Sequence, residues 1–249
     1  MRSLPRIDSR YWLCLCAASI FGTNTGDFIG DELHLGHLSG LPWLAGLFAL
    51  ILLLDRIVRT PTPLWFWFAI ITVRTAATNI GDMFHEWHID FPVSIPLVLA
   101  LFIGAVWVYR QRTRLSNTIR VTPIYWVCMI LAGVLGTLVG DCASFRMHLT
   151  PPGAAVVVGA LVATMLTIGR RGQILTPVLY WTTVALIRTA GTAAGDALSH
   201  MLSLPWSTLL TGLAFLVLVV AFYGTGWLTV KRASPRKNRD QDSGQTRIW

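Results

Sequence analysis

The sequence predicts an all-α membrane protein of eight transmembrane helices, arranged as four two-helix repeats in two pseudo-symmetric halves with both termini cytoplasmic. Three observations predict it: a charge-poor composition, a four-fold internal repeat, and basic residues confined to one set of loops. Of 249 residues, 54% are hydrophobic and 13% charged, and mean hydropathy is +0.59. A soluble domain carries about 25% charged residues to cover its surface. Lipid solvates an apolar exterior without them. The net charge of +8 would suit nucleic acid, but the Lys and Arg residues fall in short runs between apolar stretches, as in cytoplasmic loops. No nucleic-acid partner is expected.

The repeat is read by aligning four Gly-Asp pairs: Gly26-Asp27, Gly81-Asp82, Gly140-Asp141 and Gly195-Asp196. Fifteen residues before each Asp stands a Trp (Trp12, Trp67, Trp126, Trp181). Four before stands a Thr (Thr23, Thr78, Thr137, Thr192), and five before a small residue (Gly22, Ala77, Gly136, Gly191). Asp27 to Asp82 and Asp141 to Asp196 are 55 residues apart, while Asp27 to Asp141 and Asp82 to Asp196 are 114 apart. The even copies also share Arg74-Thr75-Ala76 and Arg188-Thr189-Ala190. A duplicated half, itself a duplication, accounts for both spacings.

Residues 1–10 form a cytoplasmic N-terminus. Arg2, Arg6 and Arg10 ahead of the apolar run from Tyr11 to Gly22 have the look of a signal peptide. That run carries the repeat motif, which makes it the first helix of repeat 1 (11–60). Repeats 2, 3 and 4 follow at 61–118, 119–172 and 173–230, and 231–249 reads as a basic, disordered cytoplasmic tail. In each repeat the first span runs from the Trp to just past the Gly-Asp, roughly 18–20 residues, enough to cross about 30 Å of hydrocarbon. The second spans are Leu41–Leu54, Ile95–Tyr109, Ala154–Ile168 and Leu209–Tyr223.

Two helices per copy make all four first helices parallel, repeated about an axis along the membrane normal. Arg56 with Arg59, the Arg110/Arg112/Arg114/Arg120 loop, Arg170-Arg171 and the tail from Lys231 then share one side with the N-terminus. The opposite loops hold only Arg146. That asymmetry predicts a multi-pass protein of the cell's inner membrane, N-in and C-in. The repeat Trp residues are expected at the inner interface, with each Asp about 22 Å away towards the outer face. Cys14, Cys16, Cys128 and Cys142 form no CxxC, so neither a disulfide frame nor a thiolate metal site is expected.

The characteristic Trp and the acidic position late in the first helix resemble a family of bacterial integral membrane proteins made of four tandem two-helix repeats. The resemblance covers Tyr11 to about Tyr223. It implies the architecture and contributes nothing on activity.

Four ionisable groups at equivalent depth need a shared reason, because an Asp at the centre of a membrane costs about 3 kcal/mol on insertion scales. Asp27, Asp82, Asp141 and Asp196, each with a Thr one helical turn deeper on the same face, suit a hard cation or a proton passed between carboxylates. Small residues four apart let the helices approach, which would gather the four Asp near one axis. The plain alternative is that each Asp caps its own helix end. Arg74 and Arg188 lie eight residues before their Asp, so each should pair with a carboxylate or line a polar cavity. Paired to two Asp, they would leave two negative charges, matching one divalent cation or two protons. Binding of an anionic substrate, or a purely structural Arg–Asp pair, are the alternatives.

All six His fall in outer loops or at helix ends: His34, His37, His85, His88, His148 and His200. Asp31, Glu32, Glu86 and Asp90 accompany them. His34 with His37 and His85 with His88 have i,i+3 spacing, which suits a shared Zn or Mn ion if helical. Solvated loop histidines are the alternative.

Soluble-enzyme motifs are missing: there is no Gly-x-Ser-x-Gly, phosphate-binding glycine loop, His-Glu-x-x-His or dinucleotide fingerprint. The expected function is therefore transport, not catalysis. It would be export or transport of a small cation, above all a divalent metal, with protons as candidate exchange partners, no tightly bound cofactor, and the lipid bilayer as the other partner. An intramembrane metal-dependent hydrolase of lipids and a non-transporting scaffold subunit are the rival classes.

Overall fold

The structure is a computed structural model that describes residues 4–58, 62–113, 119–147, 149–172 and 176–224. Arg59, Arg114, His148 and the tail at 231–249 lie outside the described residues. Those residues contain eight α-helices and no strand: α1 (Ser9–Asp27), α2 (His37–Ile57), α3 (Leu64–Glu86), α4 (Phe91–Thr113), α5 (Pro123–Asp141), α6 (Thr150–Gly172), α7 (Pro177–Leu202) and α8 (Leu204–Tyr223). Helix starts follow local chemistry. Asp8 accepts from the N–H groups of Arg10 and Tyr11, and Thr122 and Thr176 cap α5 and α7 ahead of Pro123 and Pro177.

Every first helix is longer than the sequence predicts. It begins ahead of its Trp and runs on past its Asp. In α3 and α7 the helix continues to Glu86 and Leu202. In the odd copies it continues as π-helical turns, Phe28–Glu32 and Cys142–Arg146. The Asp residues thus sit within continuous helix and do not cap its end. The second helices are also longer, because the apolar runs alone set the expected bounds while the helices continue through flanking polar residues such as Asp55, Arg56, Arg110 and Arg112, and proline near their starts (Pro42, Pro96, Pro151, Pro205) does not break them.

The first helices close into a ring, α1–α3–α5–α7–α1. The glycine of each Gly-Asp makes the closure. A side chain at Gly26 would lie 2.8 Å from Thr78, at Gly81 2.7 Å from Thr137, at Gly140 2.9 Å from Thr192, and at Gly195 3.2 Å from Thr23. Each contact joins one copy to the next, and the fourth returns to the first, so only the absence of a Cβ permits the approach. One layer along, Gly22 packs on Arg74, Gly133 on Ala77, Gly136 on Arg188, and Gly191 on Ser19.

Each second helix then covers the first helix of the following copy: α2 on α3, α4 on α5, α6 on α7, and α8 back on α1. The outer helices are apolar and exposed, and the inner ones carry the Thr, Arg and Asp. Five helical stretches are long and apolar enough to cross a membrane: His37–Ile57, Phe91–Thr113, Pro123–Arg146, Thr150–Ile168 and Leu204–Tyr223. Four are the outer helices. The polar residues of α1, α3 and α7 keep those helices out of that set.

Trp67, Trp126 and Trp181 are buried against aromatic neighbours and Trp12 is half-buried, so the repeat Trp side chains pack on protein. Trp181 packs on Tyr125 and Tyr180 with centroids 5.3 and 5.0 Å away, and Trp67 lies 5.5 Å from Tyr11. The exposed tryptophans are Trp43, Trp87, Trp107 and Trp206. All four cysteines are free.

Candidate functional site

At the end of the ring where the first helices finish, Asp27, Asp82, Asp141 and Asp196 all line one cavity of about 520 Å³. Asp82 is in electrostatic reach of the other three. The ring explains the convergence, since equivalent positions of four parallel helices around one axis face the same space. Asp31 from the first π-helical turn, with His37, His85, Ser199 and His200, completes the polar lining.

Three of the five described histidines therefore reach the site, by different routes. His37 opens α2, and its ring lies against the backbone of Gly30, where any side chain would collide with it. Asn79 donates to the His37 carbonyl at 3.5 Å, tying that start to α3. His37 Nδ1 is 3.6 Å from Asp82 Oδ2, and its Nε2 is 3.8 Å from both Asp31 Oδ1 and Glu86 Oε1. His85 Nε2 is 3.4 Å from Asp141 Oδ2, with its ring edge-on to Phe91 at 4.8 Å. His200 holds Nδ1 2.7 Å from the Asp196 carbonyl; since a carbonyl only accepts, Nδ1 carries the proton there and Nε2 is left for other partners.

The shared-metal pairs of the sequence do not form. His34 and His88 are exposed and occupy left-handed turns, with φ of 51° and 54°, that reverse the chain between first and second helices. Spacing of i,i+3 joins side chains only on a helix, and these two residues have left it. Among the described residues no group of three or more His, Cys, Asp or Glu is arranged to hold a metal ion. Around His37 the carboxylates of Asp82, Asp31 and Glu86 stand 3.6–3.8 Å from the ring nitrogens, slightly wider than the about 3.3 Å that separates neighbouring ligand atoms on a tetrahedral ion.

Below the carboxylates lies the threonine layer, and here the structure departs from the expected Arg–Asp pairing. Arg74 is fully buried, and its partners are neutral oxygens. Its Nη2 donates to Thr23 Oγ1 and Thr192 Oγ1, both at 2.6 Å. Its Nη1 donates to Thr137 Oγ1 and the Gly133 carbonyl, both at 3.1 Å, and its Nε to the Ser19 carbonyl at 3.4 Å. Thr23 and Thr192 pass their own protons to the carbonyls of Ser19 and Arg188, so each hydroxyl is free to accept. Three of the four threonines expected to add ligands to a cation thus hold a guanidinium. The fourth, Thr78, is buried with no partner for its hydroxyl among the described residues. Arg74 feels Asp27, Asp82 and Asp141 electrostatically without touching them.

Arg188 faces the other way. Among the described residues its only hydrogen-bond partner is the Met129 sulfur, 3.9 Å from Nη2, and its charge is felt by Tyr11, Tyr125 and Tyr180. Those three hydroxyls meet in a triad: Tyr11 to Tyr180 at 2.6 Å, Tyr125 to Tyr180 at 2.9 Å, Tyr11 to Tyr125 at 3.5 Å. The sequence reasoning missed this triad, although its signal is present. The residue before each repeat Trp is Tyr in three copies and Phe66 in the other.

Residues 10–60, the first repeat, match the family described as Repeat of Unknown Function (DUF347). That agrees with the resemblance carried by the Trp and the late acidic position. Nothing among curated proteins or solved structures matches the chain.

Proposed function

We propose that the chain is an eight-span protein of the inner membrane, N-in and C-in, that transports a small cation, above all a divalent metal ion, with protons as exchange partners. The observation that carries this reading is the meeting of all four repeat Asp residues around one cavity. Four carboxylates sharing a space repel one another, and a cation or protons relieve that repulsion. Two unit charges 4 Å apart interact by about 4 kcal/mol at an effective dielectric of 20, so several carboxylates together attract a divalent ion that keeps much of its water shell.

The basic loops favour placing the Asp end outside. The cavity then opens outwards, and Arg74, clamped by three threonines, closes its floor as a fixed positive charge against the passage of cations. An ion crosses only when that clamp lets go, which assigns Arg74 the part of a gate. A metal loads through carboxylates and His37 or His85 in a loose, water-rich shell rather than a tight cage, as exchange requires.

The test replaces Asp82 and Asp196 by Asn and measures uptake of labelled zinc and manganese by proteoliposomes holding the purified protein. Loss of flux is expected. Flux equal to the parent's would overturn the reading.

A further inference from the structure

We propose that Arg188, beside the Tyr11–Tyr125–Tyr180 triad, forms a buried site for a small monovalent anion of the halide class, separate from the acidic cavity.

The two repeat arginines are internal controls for each other. Arg74 and Arg188 occupy the same place in their repeats, in the same Arg-Thr-Ala sequence, and both have 0% relative exposure. The fold supplies Arg74 with five oxygen acceptors from α1, α5 and α7. Arg188 receives none. Its Nε and Nη1 are buried with no acceptor among the described residues, and Nη2 has only a thioether sulfur, a weak acceptor. A buried guanidinium is tolerated when its charge is compensated and its donors are met.

The groups around Arg188 are themselves donors. Its electrostatic neighbours are the three tyrosines, Cys16 and the Arg74 guanidinium, and none of them is an anion. Three hydroxyls bring three protons: the contacts at 2.6 and 2.9 Å use two of them, and the third is held only by the long 3.5 Å contact between Tyr11 and Tyr125, the one an anion would displace. The indole N–H groups of Trp67 and Trp181, whose rings pack on the same tyrosines, are likewise buried without an acceptor. A buried guanidinium with unmet donors, among groups that are acceptor-poor and carry no negative charge, selects a small single negative charge with no directional demand. A halide has that character, as arginine-lined anion pores do. The site shares no group with the Asp cavity, so its fate is independent of the transport reading.

The test is anomalous diffraction from crystals of the full chain grown in bromide, with thermal unfolding of the detergent-solubilised protein in chloride against gluconate at equal ionic strength. A bromide peak beside the Arg188 guanidinium is expected. A saturable rise in melting temperature of about 2–4 °C in chloride should accompany it. Tyr180→Phe should weaken the chloride effect several-fold and Arg188→Met should abolish it. Absence of a bromide peak at Arg188 in the unaltered protein overturns the proposal, because water alone would then satisfy the donors. If Arg188→Met fails to fold, the peak in the unaltered protein and the Tyr180→Phe titration decide the matter.

Discussion

The two ends of the inner ring are built from the same four helices and carry opposite chemistry. At the Asp end there are more acceptors than donors: four carboxylates, Asp31 and three histidines around an open cavity. At the tyrosine end there are more donors than acceptors: Arg188, three hydroxyls and two indoles, all enclosed. Arg74 separates them, and it is satisfied by threonines belonging to neither group. The difference teaches that the repeat sets the depth of its polar residues, while packing between copies decides which end each side chain serves. Ser19 and Gly133 stand where Arg74 and Arg188 stand in the even copies, and both give their carbonyls to Arg74.

The comparison breaks most readily at the Asp end. Replacing Asp82 and Asp196 by Asn leaves shape and polarity nearly unchanged while removing two charges, and flux should fall at least about tenfold. Replacing Tyr125 by Phe at the opposite end should leave flux within about twofold, as measured in the same proteoliposomes. Equal losses from both changes would erase the distinction between the ends.

Stability draws a second line, between the inner ring and its outer cover. A Cβ at Gly136 would fall within 2.7–2.8 Å of the backbone of Arg188 and Thr189, where neither neighbour can give way. Gly136→Ala should cost about 1–3 kcal/mol in unfolding by denaturant. Gly46, on outer helix α2, has nothing within 4 Å, so Gly46→Ala should be neutral or stabilise by up to about 1 kcal/mol.

Smaller effects sharpen the contrast between the arginines. Lys cannot reproduce the guanidinium fork, so Arg74→Lys should lose about 1–2 kcal/mol from its threonine and carbonyl bonds. Arg188→Lys, with no oxygen partners to lose, should change stability by less than about 1 kcal/mol in the same experiment. A reversed order would show that the two environments are misjudged.

How much of this was legible in the sequence follows from what a repeat can encode. Periodicity places residues at a depth, so the convergence of the four Asp could be anticipated from the Gly-Asp register. The small residues five before each Asp pointed to close helix approach, and the ring closes at those positions. Side-chain direction is not periodic. Arg74 turns towards the threonines and Arg188 towards the tyrosines, a choice made by packing between copies that no spacing records. The π-helical turns escaped notice because Phe28–Glu32 and Cys142–Arg146 differ little in composition from α-helix. His34 and His88 misled because their spacing has metal-binding meaning only on a helix, and the chain reverses there. The tyrosine column was obscured by Phe66, which breaks the identity but not the aromatic character.

The account's central claim is that the four Asp jointly hold a cation, and calorimetric titration of manganese into the purified protein tests it most directly. The account predicts saturable binding of one ion per chain, weakened at least about tenfold by either Asp82→Asn or Asp196→Asn. Binding that neither change alters, or no saturable binding to the parent protein, would contradict it.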